Sequence, residues 1–155
     1  MPEELDDLPF DADTDMEDGL FGLSEQREIK GECTMKLVDF VLVDGLENGK
    51  GLDLRFEIVA PSEYAGEVVN ARIWPNAKTG RPTPSYSGRD GEPNAFARIQ
   101  LAMDKKKQLA PGEKLDLRRW ISEGRRIRGW VYSQASKSNG RLYPRLEYKT
   151  LEPAR

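Results

Sequence analysis

Apolar and polar positions organise this chain into strands from about residue 32 onward. The stretch Glu32–Gly45 (ECTMKLVDFVLVDG) is rich in apolar and β-branched residues, and its alternation changes phase. Cys33, Met35 and Leu37 share one parity, and Val38, Phe40 and Leu42 the other, the signature of a strand with a bulge that curls around a barrel. Asn48-Gly49 and Gly51 then mark a hairpin turn. LDLRFEIVA alternates with a period of two, placing Leu52, Leu54, Phe56 and Ile58 inward and Asp53, Arg55 and Glu57 outward. After the turn PSEYAGE, EVVNARIW predicts a third strand. RIRGWVYSQ and RLYPRLEYKTL, joined by the turn-like ASKSNG, predict two closing strands. Pro144 removes a backbone donor from the last of these, so an open edge or a bulge is expected there.

Between the third and fourth strands the pattern changes. A proline- and glycine-rich polar segment runs from Pro75 to Pro93, and loops of this length in small domains are usually functional or disordered. Asn94 is placed to cap a helix over AFARIQLAMDKKKQL, ending before Ala110-Pro111-Gly112. Strand-like alternation of Ala97, Ile99, Leu101 and Met103 leaves a strand open for 97–103, but the wealth of Ala, Gln, Met and Lys favours helix. Asp116 is placed to start a second short helix, LRRWIS. The expected class is therefore mainly β. The order of three strands, a helical insert and two strands is that of the five-stranded OB-type barrel, which binds oligonucleotides or oligosaccharides. Its two binding loops correspond to residues 45–51 and 134–141.

Charge divides the chain in two. Its net charge of −3 comes from 24 basic and 27 acidic residues, and eleven of the acids lie in residues 1–28 against the single base Arg27. The segment 1–28 is thus about −10 and residues 29–155 about +7. The first segment is expected to be a disordered acidic arm, because it holds too little apolar surface to offset the entropy of ordering. Residues 29–155 are expected to be one basic domain whose partner is a polyanion. Two apolar islands interrupt the arm, Leu8-Pro9-Phe10 and Leu20–Leu23, and acidic–apolar alternation of this kind marks docking peptides.

Candidate chemistry narrows the class further. The chain has no histidine and one cysteine, Cys33, which removes imidazole-based catalysis, Cys/His zinc sites and an internal disulfide. Lys78-Thr79-Gly80 and Gly49-Lys50-Gly51 lack the partner motifs and spacing of a penicillin-binding or phosphate-binding loop, and the arm has no calcium-binding frame. The sequence therefore predicts no enzyme, no catalytic residue, no metal and no cofactor. The start lacks a basic, apolar leader and no apolar run is long enough to span a bilayer, so a cytoplasmic location without a membrane partner is expected.

Strand parity predicts the binding face. With Ile127, Gly129 and Val131 inward, Arg128, Trp130 and Tyr132 share the outer face; with Leu142, Leu146 and Tyr148 inward, Tyr143, Arg145 and Lys149 face out. Arg72 and Trp74 also share one face. Single-strand binders need this mixture, since bases stack on aromatic rings while cations follow the phosphates. Trp74, Trp130, Tyr132 and Tyr143 are the stacking candidates and Arg72, Arg128, Arg141 and Arg145 the phosphate candidates. Lys78, Arg81 and Arg89 are placed to close the long loop over the strand.

Residues 30–152 resemble the phage-encoded OB-fold single-stranded DNA-binding proteins in FEIVAPSEYAGEVV, in the helix leading to APGEKLDL, and in GRRIRGWVYSQASKSNGRLYPRL. The resemblance implies sequence-tolerant protection of single strands during replication or recombination, with RNA left open beside DNA, and a homo-oligomer also left open. Asp6-Asp7-Leu8-Pro9-Phe10 is similar to the acidic Asp-Asp-Ile-Pro-Phe tip by which bacterial single-strand-binding proteins recruit replication and repair partners. That tip is the extreme C-terminus in its family, whereas here it lies near the N-terminus and is followed by Asp11. Leu8, Pro9 and Phe10 are the docking candidates of the arm, and the arm is alternatively expected to compete with nucleic acid for the basic face by Coulomb attraction. Two rivals remain. One is a protein–protein adaptor with Trp130 and Tyr132 as interface anchors, and the other is a carbohydrate-binding barrel, which would not need the positive charge.

Overall fold

The computed structural model describes residues 28–46, 49–88 and 90–154. The strands are β1 (Lys30–Leu46), β2 (Gly49–Ala60), β3 (Val68–Ile73), β4 (Arg126–Ala135) and β5 (Leu142–Pro153), with helices α1 (Ala95–Met103) and α2 (Leu117–Ser122) between β3 and β4. All ladders are antiparallel and the sheet runs β3-β2-β1-β4-β5. The two edge strands, β3 and β5, approach each other without a hydrogen-bonded ladder among the described residues, so the sheet is strongly curled but open along this seam. The arm over residues 1–28 lies outside the described residues except for Glu28, as do Leu8, Pro9 and Phe10 of its docking island, Asn48 of the expected hairpin turn, and Arg89.

The phase change in β1 is a bulge at Val38: Leu37 pairs with Phe56 and Asp39 with Arg55, leaving Val38 unpaired. One extra residue keeps Cys33, Met35, Leu37 and Phe40 on the inner face across the change. Beyond Lys36, β1 has β2 on one side and no β4 partner on the other, which leaves Val41 and Leu42 exposed. β2 follows its alternation, with Leu52, Leu54, Phe56 and Ile58 all buried. In β4, Ile127 and Val131 are buried, and Gly129 lies where a Cβ would press on Leu151. Four residues of β5, 148–151, bulge opposite Gly129 between the pairs Trp130–Glu147 and Arg128–Glu152. The Thr150 hydroxyl closes this bulge, accepting the Trp130 N–H at 2.8 Å and donating to the Glu147 carbonyl at 2.7 Å. Pro144 is tolerated because β5 is an edge strand, and the bulge falls four residues later than the proline.

Residues 97–103 are helix. Asn94 accepts the Ala97 N–H at 2.8 Å, and Phe96, Ile99, Ala102 and Met103 press into the core beside β5 and β4. The helix ends at Met103, six residues before the expected Leu109. Lys105 and Lys106 adopt positive φ of 57° and 73°, and the Lys106 N–H turns back to the Leu101 carbonyl, so the three lysines form a C-terminal turn instead of a helix face. Asp116 caps α2 through the Arg119 N–H at 3.1 Å, which directs Trp120 into the core, 2% exposed. Among the described residues no helix is long and apolar enough to cross a membrane.

Candidate nucleic-acid interface

Registry decides which candidates meet. Cross-strand partners share a face, so the outer face of β4 carries Tyr132 between Lys30 of β1 and Arg145 of β5, and Trp130 between Glu32 and Glu147. Arg128 lies between Thr34 and Glu152 and forms an ion pair with Glu32 at 3.2 Å. The expected parity of Arg128, Trp130, Tyr132 and Arg145 is therefore observed, but its electrostatics are uneven. Around Tyr132 the neighbours are cationic, whereas around Trp130 they are acidic.

Tyr143 pairs with Gln134, and its hydroxyl accepts a hydrogen bond from the Asn139 side chain at 3.1 Å. This contact, with the Ser136 N–H to Arg141 carbonyl bond at 2.8 Å, holds the β4–β5 loop in a compact turn with Arg141 half-buried at its base. Lys137 projects from the same loop.

A second group forms where β3 ends. Arg72 grips Asp53 with both ends of its guanidinium, Nε to Oδ1 at 2.5 Å and a terminal nitrogen to Oδ2 at 3.1 Å. Its charge is thus matched by Asp53 and partly buried. The same pairing explains why Asp53 is buried despite its outward parity. The Trp74 ring lies over the Arg72 guanidinium, 5.8 Å from ring centre to carbon, and is 61% exposed, so the ion pair holds up a platform for stacking. Trp130, at 40%, is the other exposed tryptophan.

Lys78 and Arg81 project from a tight turn over residues 76–81, closed by the Asn76 N–H to Arg81 carbonyl bond at 2.8 Å and by the Lys78 N–H to the Asn76 side chain at 2.8 Å. This turn docks on the β1–β2 hairpin through the Lys50 N–H to Gly80 carbonyl bond at 3.1 Å. Gly49, at φ 125°, passes so close that a Cβ there would strike the Gly80 backbone. The docking brings Lys50, Lys78 and Arg81 to the same end as Trp74. The remainder of the segment is also tied down. Asn94 binds Ser85 and Thr83, and the Tyr86 hydroxyl donates to buried Gln100 while accepting the Leu109 N–H. Nothing in the sequence marked these anchors, because each joins residues far apart in a region without periodicity.

The two groups meet at the seam. Tyr148, packed against the core as its parity predicts, lies within electrostatic reach of Arg145, Tyr132 and Asp53. Asp53 belongs to the β2–β3 side and the other two to the β4–β5 side, so Tyr148 marks the point where both sides converge. Burial pushes its hydroxyl up to about 12, with Arg145 opposing the shift. Cys33 is buried, and burial, then Glu32 and Glu63, raise its thiol, which makes it a poor nucleophile.

No protein-family model, no curated protein and no solved structure matches this chain.

Proposed function

We propose that the chain is a sequence-tolerant single-stranded DNA-binding protein of the OB type, acting in phage or bacterial replication or recombination. The observation that carries this reading is the seam between β3 and β5. There Tyr148 lies within electrostatic reach both of Asp53, which holds Arg72 beneath the exposed Trp74, and of Arg145 and Tyr132, the latter flanked by Lys30. Lys30, Arg145, Lys78 and Arg81 form no ion pair among the described residues, and rings with such cations in the same domain suit stacked bases and tracked phosphates. Arg145 and Tyr143, with Lys137 on the neighbouring loop, extend the path along β5. Titrating labelled oligothymidine by fluorescence anisotropy at rising salt tests the reading. Binding is expected to weaken steeply with salt, with a slope of about −0.7 per phosphate neutralised. Absence of binding at low salt would refute it.

The adaptor reading is favoured by one observation at one place. Trp130 stands between Glu32 and Glu147, with Glu152 nearby, and carboxylates around a ring repel phosphate but suit a basic peptide. Trp130 is accordingly a candidate anchor for a protein partner beside the nucleic-acid path.

A further inference from the structure

A cavity of about 510 Å³ opens at the end of the barrel near Arg126, between the turn that ends α1, the segment leading to α2, and the start of β4. Its apolar lining includes Met103, Leu109, Leu115 and Trp120. A polar network fixes the wall: the Asp104 carboxylate accepts from the Trp120 indole N–H at 3.1 Å, from Arg125 and from Gln100. Arg119 and Arg125 are neutralised by Glu123 and Asp104. Lys105, Lys107, Lys114 and Arg126 also line the cavity, and none of the four forms an ion pair among the described residues. Six basic side chains against four acidic ones leave the cavity with a net positive charge over a lining that is part apolar, through Leu109 and Leu115, and part polar.

We propose that this cavity receives the chain's own N-terminal segment Asp6–Asp13, with Leu8-Pro9-Phe10 entering and the carboxylates of Asp6, Asp7, Asp11 and Asp13 meeting the four unpaired cations. The charges are complementary: four acids flank an apolar tripeptide, and the wall, which also carries Glu113 and Asp116, has a net excess of cations beside the half-buried Leu109 and Leu115. Tether length supports the same segment. The described chain begins beside Ser133, where the Ile29 N–H donates to the Ser133 hydroxyl at 2.8 Å. Ser133 and Arg126 are seven residues apart on β4, roughly 23 Å at 3.3 Å per residue. Nineteen residues separate Ile29 from Phe10 and eight separate it from Phe21; random-coil chains of those lengths have root-mean-square spans of about 24 Å and about 16 Å. Tethering supplies an effective concentration of order millimolar, so weak contacts suffice. This assignment differs from competition on the nucleic-acid face and does not rest on the single-strand reading.

Zero-length carbodiimide crosslinking of the full-length protein without nucleic acid, mapped by mass spectrometry, tests it. Crosslinks within one chain from Asp6, Asp7, Asp11 and Asp13 to Lys105, Lys107 and Lys114 are expected to dominate and to be lost at 1 M salt. Replacing Leu8 and Phe10 by Ser, outside the described residues, keeps every carboxylate and is expected to reduce these crosslinks sharply. Crosslinks concentrated on Lys50 and Lys78, spread evenly over the lysines, or confined to dimers would overturn the proposal. So would crosslinks unchanged in the Leu8→Ser/Phe10→Ser variant, because the apolar residues would then not occupy the cavity.

Discussion

Two places on the outer surface repeat one motif, an exposed tryptophan two residues from an arginine that is paired with an acid, yet they differ in burial and in charge. At the end of β3, Arg72 and Asp53 are partly buried and bidentate, and the 76–81 turn adds the cationic Lys78 and Arg81, with Lys50 beside it paired to Asp44 at 3.6 Å. On β4, Arg128 and Glu32 are both well exposed and the neighbouring Glu147 and Glu152 are acidic. The same residue types thus make a supported, positively surrounded platform in one place and a loosely held, negatively surrounded one in the other. Sequence spacing alone does not separate them; cross-strand registry does.

The largest expected effect breaks the comparison through stability. Arg72→Ala leaves Asp53 buried without its cation and is expected to cost about 3 kcal/mol, the lower end for a broken buried pair because some solvent reaches both side chains. Arg128→Ala is expected to cost less than about 1 kcal/mol, as for other exposed pairs. Urea denaturation of both variants measures this, and equal losses would remove the distinction.

Binding should divide the tryptophans next. Trp74→Ala is expected to weaken oligothymidine binding by about 1–3 kcal/mol, the usual contribution of one stacked base, with Trp130→Ala causing a smaller loss. Anisotropy titrations at fixed salt check the order, and a larger loss for Trp130→Ala would reverse the assignment.

The seam supplies a pH test of comparable size. Below pH 10 the Tyr148 hydroxyl is neutral in both folded and unfolded chains. Between 10 and about 12 the unfolded chain ionises while the folded one does not, so this contribution to stability is lost as pH rises through that window. Tyr148→Phe is expected to remove up to about 2 kcal/mol of the fall in stability across it. Identical pH profiles from chemical denaturation would show that Tyr148 is not held this way.

The smallest effect sharpens the electrostatic side. Lys78→Ala is expected to reduce the magnitude of the salt slope of binding by about 0.7, one phosphate contact on a single strand, while leaving stability unchanged. An unaltered slope would remove the 76–81 turn from the path.

Much of the curled sheet was legible because local rules agreed with the global fold. Alternation in β2, the bulge at Val38, the Asn94 and Asp116 caps and the inward parity of β4 all follow from periodicity and capping chemistry. What escaped the sequence was held by long-range polar contacts. Asp53 reads as a solvated outward acid until β3 places Arg72 opposite it. The early end of α1 depends on Asp104 engaging Trp120 and Arg125, sixteen and twenty-one residues away. The 75–93 segment reads as a functional or disordered loop because Gly80 docking on Lys50, and Tyr86 on Gln100, leave no periodic trace. The outward parity of Arg128, Trp130, Tyr132 and Arg145 was legible, but the cationic neighbours of Tyr132 and the acidic neighbours of Trp130 were not.

Photocrosslinking of an oligothymidine substituted with 5-iodouracil, with adducts mapped to residues, tests the central claim most directly. The single-strand account predicts adducts on Trp74 and Tyr132, suppressed by salt and by unlabelled competitor. Adducts on Trp130 alone, or none at low salt where the complex should be saturated, would contradict it.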